Sequence, residues 1–197
     1  MTKTAPNSTR RSERARKAIL AAALDEVAEV GFAKLCIEGV ASRAGVGKQT
    51  IYRWWPSKGA VVFDAVLDLG EGEAPPPTTG DLEADLKAAM RATVAELNDP
   101  RVGPALRALR TAITHDAQLA ATYAERIDTP RCEARKQRLR EARLDVDLDI
   151  AVDLLWGPLI NRWLKGAEVT PHYADRVVET ALNGLRPRKE AEWNSKS

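Results

Sequence analysis

The chain has only two cysteines and two histidines among its 197 residues, so few side chains are available to bind a metal ion or to react as thiols. Cys36 and Cys132 are far apart and form no CxxC pair, so we expect neither zinc ligation nor a disulfide framework. His115 and His172 lack a His-x-x-x-His spacing, and no nucleophile motif accompanies them. We therefore expect surface contacts and caps at both histidines, no metal, no cofactor and no enzymatic activity.

Long hydrophobic runs are also lacking. No stretch of about 18 uncharged apolar residues occurs, so the sequence predicts no membrane span. The first 17 residues are basic and polar with no apolar segment before a cleavage site, so they do not form a secretory signal. These absences, with the scarcity of cysteine, predict a cytoplasmic protein. The hydrophobic content of 44% is nevertheless enough for a core.

Charge is unevenly distributed along the chain. Residues 1–60 contain 11 Lys/Arg and 5 Asp/Glu, a balance of +6, whereas residues 61–197 contain 19 and 23, a balance of −4. A basic first third on an acidic remainder suits a protein that meets phosphate at one end only. Chance clustering at a solvated terminus remains the alternative on charge alone.

The pattern of apolar residues is helical from end to end, with no convincing strand and no internal repeat. It predicts an all-α protein of about nine helices. Capping residues place helix starts at Ser57, Asp81, Asp99, Asp116 and Thr170. The other predicted helices run from about Ser12 to Gly31, over 37–44, from Lys48 to Trp54 and over 147–165, and Pro130 either kinks or divides the one that opens at Asp116.

Composition divides the chain into segments. Residues 71–80 (EGEAPPPTTG) contain three consecutive prolines, which cannot lie inside a helix and favour an extended connection. We therefore predict a disordered basic arm over 1–11, a first domain over 12–70 and a linker over 71–80. A second, helical domain over 81–187 and a mobile tail over 188–197 complete the prediction.

Two short helical patterns meet at Gly45-Val46-Gly47, which is the layout of a helix-turn-helix. On a helix that begins at Lys48, Ile51 and Trp55 fall on one side and can pack inward. Polar and aromatic side chains then face outward, and Lys and Gln in the first turn suit guanine and adenine edges in the major groove. The predicted DNA-binding residues are Lys48, Gln49, Thr50, Tyr52, Arg53, Trp54 and, as a phosphate contact, Lys58.

Residues Gly31-Phe32, Val40-Ala41, Ala44-Gly45-Val46 and Thr50-Ile51-Tyr52, followed by Trp55 and Lys58, resemble the amino-terminal signature of the TetR family of bacterial transcriptional regulators. The resemblance is specific over roughly residues 14–66. It implies a three-helix DNA-binding head and a larger helical body that dimerises through its last two long helices. A small-molecule pocket within that body is also implied.

This sequence departs from the family pattern at several positions. Cys36 stands where a threonine usually caps the second helix, Gly47 replaces a common serine, and Gly59 stands where an acidic residue is frequent. Glu38 and Gly39 offer no obvious base reader, so base recognition is expected mainly from the third helix.

The body supplies further candidates. The segment 147–165 is apolar around much of its circumference, which predicts contact with both the protomer core and a second copy. Pro158 should bend that helix, either to make room for a ligand or to accommodate packing. The predicted interface residues are Leu155, Leu159, Arg162, Val178 and Leu182. The pocket candidates are Met90, Leu109, Ile113, Tyr123, Trp156, Asn161 and Trp163.

Together these features predict a homodimeric, sequence-specific transcriptional regulator. Its partners would be double-stranded DNA with a palindromic operator, a second copy of the chain and a small apolar effector that releases it as a repressor. Two alternatives remain at this stage: a ligand-independent architectural DNA-binding protein, and an all-α enzyme with a DNA-targeting head.

Overall fold

A computed structural model of the chain describes residues 8–70, 79–141 and 146–185, and this part is helical with no strand. The predicted all-α class is confirmed. Because α7, a π turn and α8 follow one another without a break, the helical segments in these three ranges number nine, as the sequence predicted. The helices are α1 (Ser8–Lys34), α2 (Ile37–Ala44), α3 (Lys48–Trp54), α4 (Lys58–Gly70), α5 (Leu82–Asn98), α6 (Val102–Ile113), α7 (Ala117–Tyr123), the π turn (Ala124–Asp128), α8 (Thr129–Glu141), α9 (Leu148–Leu164) and α10 (Pro171–Leu185).

Side-chain caps start α4, α5, α7 and α10 where the sequence placed them, whereas α6 begins at Val102, three residues after Asp99. The Asp99 carboxylate accepts the backbone N–H of Val102 at 2.8 Å, and the Asp116 carboxylate accepts that of Leu119 at 2.9 Å. Each carboxylate satisfies an amide that has no partner within its helix and lies at the positive end of the helix dipole. The backbone donors lower the pKa of Asp99, as expected for a carboxylate that caps a helix in its charged form.

The two ends of α1 can be compared with the predicted segment boundaries. Helix α1 begins at Ser8 rather than Ser12, so the end of the predicted disordered arm is helical. Gly31 lies at φ 75°, which interrupts α1 at the predicted end before a last turn to Lys34. Residues 1–7, 71–78 and 186–197 lie outside the described residues, so the predicted arm, linker and tail stay predictions there.

The helices form two compact units. The first contains the described parts of residues 1–75 and 96–130, and the second those of 76–95 and 131–197. In the first unit, α6 packs against both α1 and α4. Its buried face causes this arrangement, because Ala105, Leu106, Ala108 and Leu109 are all withdrawn from solvent. This grouping differs from the predicted one, which assigned every residue from 81 onward to the body.

Close packing within the first unit explains the glycine at position 59. A Cβ atom on Gly59 would lie 3.0 Å from Leu119 Cδ2 and 3.3 Å from Ala112 Cβ. Both distances are tighter than ordinary van der Waals contact. Helix α4 therefore approaches α6 and α7 closely where an acidic side chain would not fit.

The second unit packs α9 against α10 and fixes α5 to α10 by two ion pairs. The Lys87 ammonium lies 2.9 Å from the Glu179 carboxylate, and the Arg91 guanidinium lies 2.6 Å from that of Asp175. Trp156 donates its indole N–H to Thr93 Oγ1 at 3.3 Å. Among the described residues, no helix combines the length and apolarity that a bilayer crossing requires.

Candidate nucleic-acid interface

Helix α2 is short and is defined at both ends. Cys36 is its N-cap, and the Cys36 sulfur accepts the backbone N–H of Gly39 at 3.4 Å, so the cysteine does fill the position of the usual threonine. Gly45 ends the helix at φ 67°, a left-handed conformation that costs glycine little. Ile37, Val40 and Ala41 form its buried face.

The turn after α2 leads directly into α3. Val46 N–H donates to Ala41 O at 3.0 Å, and Thr50 N–H donates to Gly47 O at 2.8 Å. Gly47 occupies the N-cap position in an extended conformation without a side-chain hydrogen bond. Three residues thus separate two helices that contact each other, which is the geometry of a helix-turn-helix.

The two sides of α3 have opposite character. Ile51 and Trp55 are buried, as predicted. The Trp55 indole N–H donates to Asp64 Oδ2 at 2.8 Å and so connects the end of α3 to α4. On the outer side, Lys48, Gln49, Tyr52 and Arg53 are exposed, while Thr50 and Trp54 are half-buried. The helix therefore presents a polar and cationic surface on a scaffold held by two buried side chains.

A second set of contacts holds α2 against α1. The Arg43 side chain lies between the carboxylates of Glu26, at 3.3 Å, and Glu29. These carboxylates raise the pKa of Arg43, with the hydrogen bond to Glu29 as the largest cause. Because α2 precedes α3 by only three residues, these contacts also fix where α3 begins.

Lys58 has a different environment from the one predicted. Its ammonium donates to the carbonyl oxygens of Phe32 at 2.9 Å and Leu35 at 3.1 Å, and it lies 4.7 Å from the centre of the Phe32 ring. These carbonyls belong to the end of α1 and the residue after it, where a cation is favoured. Lys58 therefore joins the start of α4 to the end of α1 in this structure, and its contact with phosphate stays a prediction.

The predicted interface residues of the body are mostly interior. Leu155, Leu159, Val178 and Leu182 are buried within the chain, so none has a surface to offer a second copy. Arg162 is exposed, but its guanidinium lies over the Tyr173 ring and donates to Glu168 O. The apolar pattern of α9 did not distinguish its buried face from its exposed face, because the helix is apolar on several sides. An open groove of about 460 Å³ lies between α9 and α10, lined by Leu154, Pro158, Tyr173, Arg176, Val177, Thr180, Ala181 and Gly184.

The predicted pocket residues belong to both units. Leu109, Ile113 and Tyr123 belong to the first unit, whereas the other four belong to the second. Within the second unit, Met90, Trp156 and Trp163 are buried and Asn161 is exposed. Within the described ranges, no cluster of three or more His, Cys, Asp or Glu side chains could hold a metal ion.

One ion pair beside α3 does not follow from the sequence pattern. Glu38, on the first turn of α2, lies 3.5 Å from the Lys48 ammonium, measured from Oε1 to Nζ. The periodicity of α2 alone could not reveal this pair, because it depends on the angle that the Gly45–Gly47 turn gives the two helices.

This arrangement defines a helix-turn-helix DNA-binding head, and comparisons with known proteins agree. Residues 19–65 match the family described as "Bacterial regulatory proteins, tetR family", and residues 76–181 match "Tetracyclin repressor-like, C-terminal domain". The uncharacterized HTH-type transcriptional regulator YdeS of Bacillus subtilis (strain 168) is 33% identical over 189 residues, which cover 92% of this chain and 95% of that protein.

Two further proteins are similar over most of their length. The DNA-binding transcriptional repressor TetR of Mycobacteroides abscessus is 29% identical over 182 residues, 87% of this chain and 94% of that one. The crystal structure of the TetR family transcription regulator SCO0332 superposes with a TM-score of 0.68 at 36% identity and covers 88% of this chain and 99% of its own. The chain belongs to the TetR family and is a helix-turn-helix transcriptional regulator.

Proposed function

We propose that this regulator is a homodimeric repressor that binds a palindromic operator through α3 and is released by a small apolar effector. The observation that carries the proposal is the exposed surface of α3 behind the Gly45–Gly47 turn. In that geometry Lys48 and Gln49 reach base edges, while Thr50, Tyr52 and Arg53 contact the phosphate backbone. Trp54, half-buried beside Trp55 and 5.5 Å from the Arg53 guanidinium, contributes an aromatic edge to the same surface.

Dimerisation follows from the short reach of a single head. One recognition helix reads only a few base pairs, so operator affinity requires two heads on half-sites about 34–36 Å apart. The open groove between α9 and α10 is a surface at which a second copy can pack. Ile150, Leu154 and Leu164 are large apolar side chains exposed on α9, and Leu154 lines the groove. We therefore propose this groove, rather than the buried residues predicted from sequence, as the centre of the dimer interface.

We propose that release from DNA follows from the effector's unequal affinity for two conformations of the regulator. An effector that binds better to a head spacing unlike that of the operator would draw the population away from DNA. The family match over residues 76–181 supports a regulatory role for the body, and the similarity to the transcriptional repressor of Mycobacteroides abscessus supports repression. Because the pocket candidates are apolar for the most part, we propose an apolar ligand.

Selection of bound sequences from random duplex DNA, with sedimentation of the complex, tests this proposal. We expect two inverted half-sites whose centres are one helical turn, about 10–10.5 base pairs, or a multiple of it apart. We also expect two chains per site, and apolar compounds that lower operator affinity without a similar effect on random DNA. Binding without sequence preference would contradict the proposal and indicate an architectural protein.

A further inference from the structure

Glu38 is an acidic side chain in the basic first third of the chain, beside the first residue of the base-reading helix. Its carboxylate is 3.5 Å from the Lys48 ammonium, and the side chains of Glu38 and Lys48 are 63% and 60% accessible to solvent. A carboxylate on a surface that meets phosphate weakens binding to every DNA sequence alike. A contribution of Glu38 to sequence specificity would outweigh this general loss of DNA affinity.

The stability of the fold does not account for the Glu38–Lys48 ion pair. Surface ion pairs between exposed side chains contribute about 0–1 kcal/mol at most. Lys48 is moreover the first residue of α3, where the helix dipole disfavours a cation. The head is held elsewhere, by the buried residues of α2 and α3 and by the contacts of Arg43 and Trp55. The exposed Glu38–Lys48 pair is therefore free to exchange its internal contact for contacts with DNA.

We propose that Glu38 and Lys48 together read a single G·C base pair, with Glu38 as a specificity-determining residue. Cytosine offers the N4 amino group as a donor in the major groove, and guanine offers O6 and N7 as acceptors. Within this base pair, cytosine N4 donates to guanine O6 at about 2.9 Å. The two side-chain atoms that would contact them, Glu38 Oε1 and Lys48 Nζ, are separated by a similar distance, 3.5 Å. The carboxylate accepts from cytosine while the ammonium donates to guanine.

The same chemistry disfavours the other base pairs. An A·T pair also places a donor beside an acceptor, but adenine N7 is an acceptor next to the amino group and repels the carboxylate. Thymine gives the ammonium one acceptor instead of two and adds a methyl group at the edge. A reversed pair brings the carboxylate against guanine acceptors. Glu38 thus acts as much against wrong sequences as for the right one. This inference rests on the proposed use of α3 for base reading.

Selection from random DNA with the full-length protein, followed by affinity measurements on single-base variants of the selected operator, tests the inference. We expect one G·C position in each half-site at which replacement by A·T weakens wild-type binding about tenfold or more. Glu38→Ala should reduce that preference to about twofold and strengthen binding to random DNA. Glu38→Gln should also lose the preference, because its amide can donate to acceptors as well as accept from donors.

A charge-matched control separates base reading from a simple change in net charge. Glu13 on α1 is also exposed, at 53%, and is also paired with a basic side chain, Arg16, so Glu13→Ala removes the same charge. We expect Glu13→Ala to leave the preference at the G·C position unchanged. Far-ultraviolet circular dichroism and thermal melts should give the same helicity for all variants.

Each outcome has a defined meaning. Loss of preference at the same base pair in both Glu38→Ala and Lys48→Ala, but not in Glu13→Ala, supports the inference. If the wild type selects a palindromic operator and Glu38→Ala retains every base preference, the inference fails and the proposed function stands. If the wild type selects no operator, both fail.

Discussion

A hydrogen bond between Trp55 and Asp64 connects the residue that follows α3 to α4. The indole N–H of Trp55, a buried residue, donates to the Asp64 carboxylate at 2.8 Å. Arg126, in the π turn, lies 3.9 Å from the same carboxylate and over the Phe63 ring. The orientation of α3 therefore depends on a side chain of α4 that other parts of the first unit also contact.

Replacement of Trp55 by phenylalanine should destabilise the protein by at least about 1–2 kcal/mol, because the hydrogen bond to a carboxylate is lost and the phenyl ring is smaller than the buried indole. Denaturation in urea, followed by circular dichroism, measures the change. Trp54→Phe is the matched control, since it alters a neighbouring, less buried indole and leaves the Trp55–Asp64 bond in place. Equal destabilisation by both substitutions would argue against a specific role for the bond.

Lys58→Met should lower the free energy of unfolding by about 1–2 kcal/mol, because the carbonyl oxygens of Phe32 and Leu35 lose their donor while the alkyl part of the side chain is kept. Lys58→Arg should recover part of the loss. Urea titrations check stability, and operator affinity across salt concentrations checks the phosphate contact. A fall of about one in the salt slope with unchanged stability would show that Lys58 serves DNA alone.

Gln49→Ala and Arg53→Ala should affect DNA binding in different ways. Loss of a base-reading amide should cost about 1–3 kcal/mol on the operator and little on random DNA. Loss of a cation at the backbone should weaken both and lower the salt slope by about one. Fluorescence anisotropy with operator and random duplexes at several salt concentrations distinguishes the two effects. Identical behaviour of the two variants would remove these separate roles.

Leu154→Glu should convert the dimer to monomers, because it places a charge in the apolar groove between α9 and α10. Leu164→Glu is the matched control: Leu164 lies on the same helix at 47% exposure, against 48% for Leu154, but does not line the groove. Sedimentation equilibrium gives the association state. Dissociation caused by the Leu164 substitution alone would move the interface away from the groove.

Stability of the second unit should fall in acid through Asp85. The hydroxyl of Thr79 and the backbone N–H groups of Thr79 and Gly80 lower the pKa of this buried carboxylate below its ordinary value of 3.8, although burial acts in the opposite direction. A lowered pKa in the folded state gives stability that is complete above about pH 4–5 and is lost as the pH falls through the folded-state pKa.

Urea midpoints at pH 7 and pH 3 check this expectation. Asp85→Asn should be less stable than the wild type at pH 7, because a neutral amide is a weaker acceptor for three donors, and it should lose less on acidification. Equal losses for the two proteins would assign the acid sensitivity to other carboxylates, such as Asp175 and Glu179, whose pKa values their basic partners also lower.

The sequence was sufficient for the elements whose signals are local. Asp81 and Asp116 cap the helices that they were expected to open, and Gly45 and Gly47 bound the turn that they were expected to form. These features depend on residues within four positions of each other, so a one-dimensional pattern contains them.

Features that depend on distant contacts could not be predicted in this way. Nothing near Lys58 in the sequence shows that its ammonium would meet the end of α1, and nothing within α6 shows that its apolar face would pack on α1 and α4. The buried face of α9 could not be predicted for a related reason. Leu154 and Leu155 are equally apolar, and only tertiary packing decides that one is exposed and the other buried.

The inner and outer sides of α2 and α3 have an evolutionary consequence. Val40, Ala41 and Ile51 keep the two helices together, the left-handed backbone of Gly45 sets the angle between them, and Glu38, Lys48 and Gln49 take no part in that core. If these outer positions read the operator as proposed, mutations there change which promoter the protein occupies while the fold is kept. A lineage with this scaffold would then acquire new target genes by a few surface substitutions.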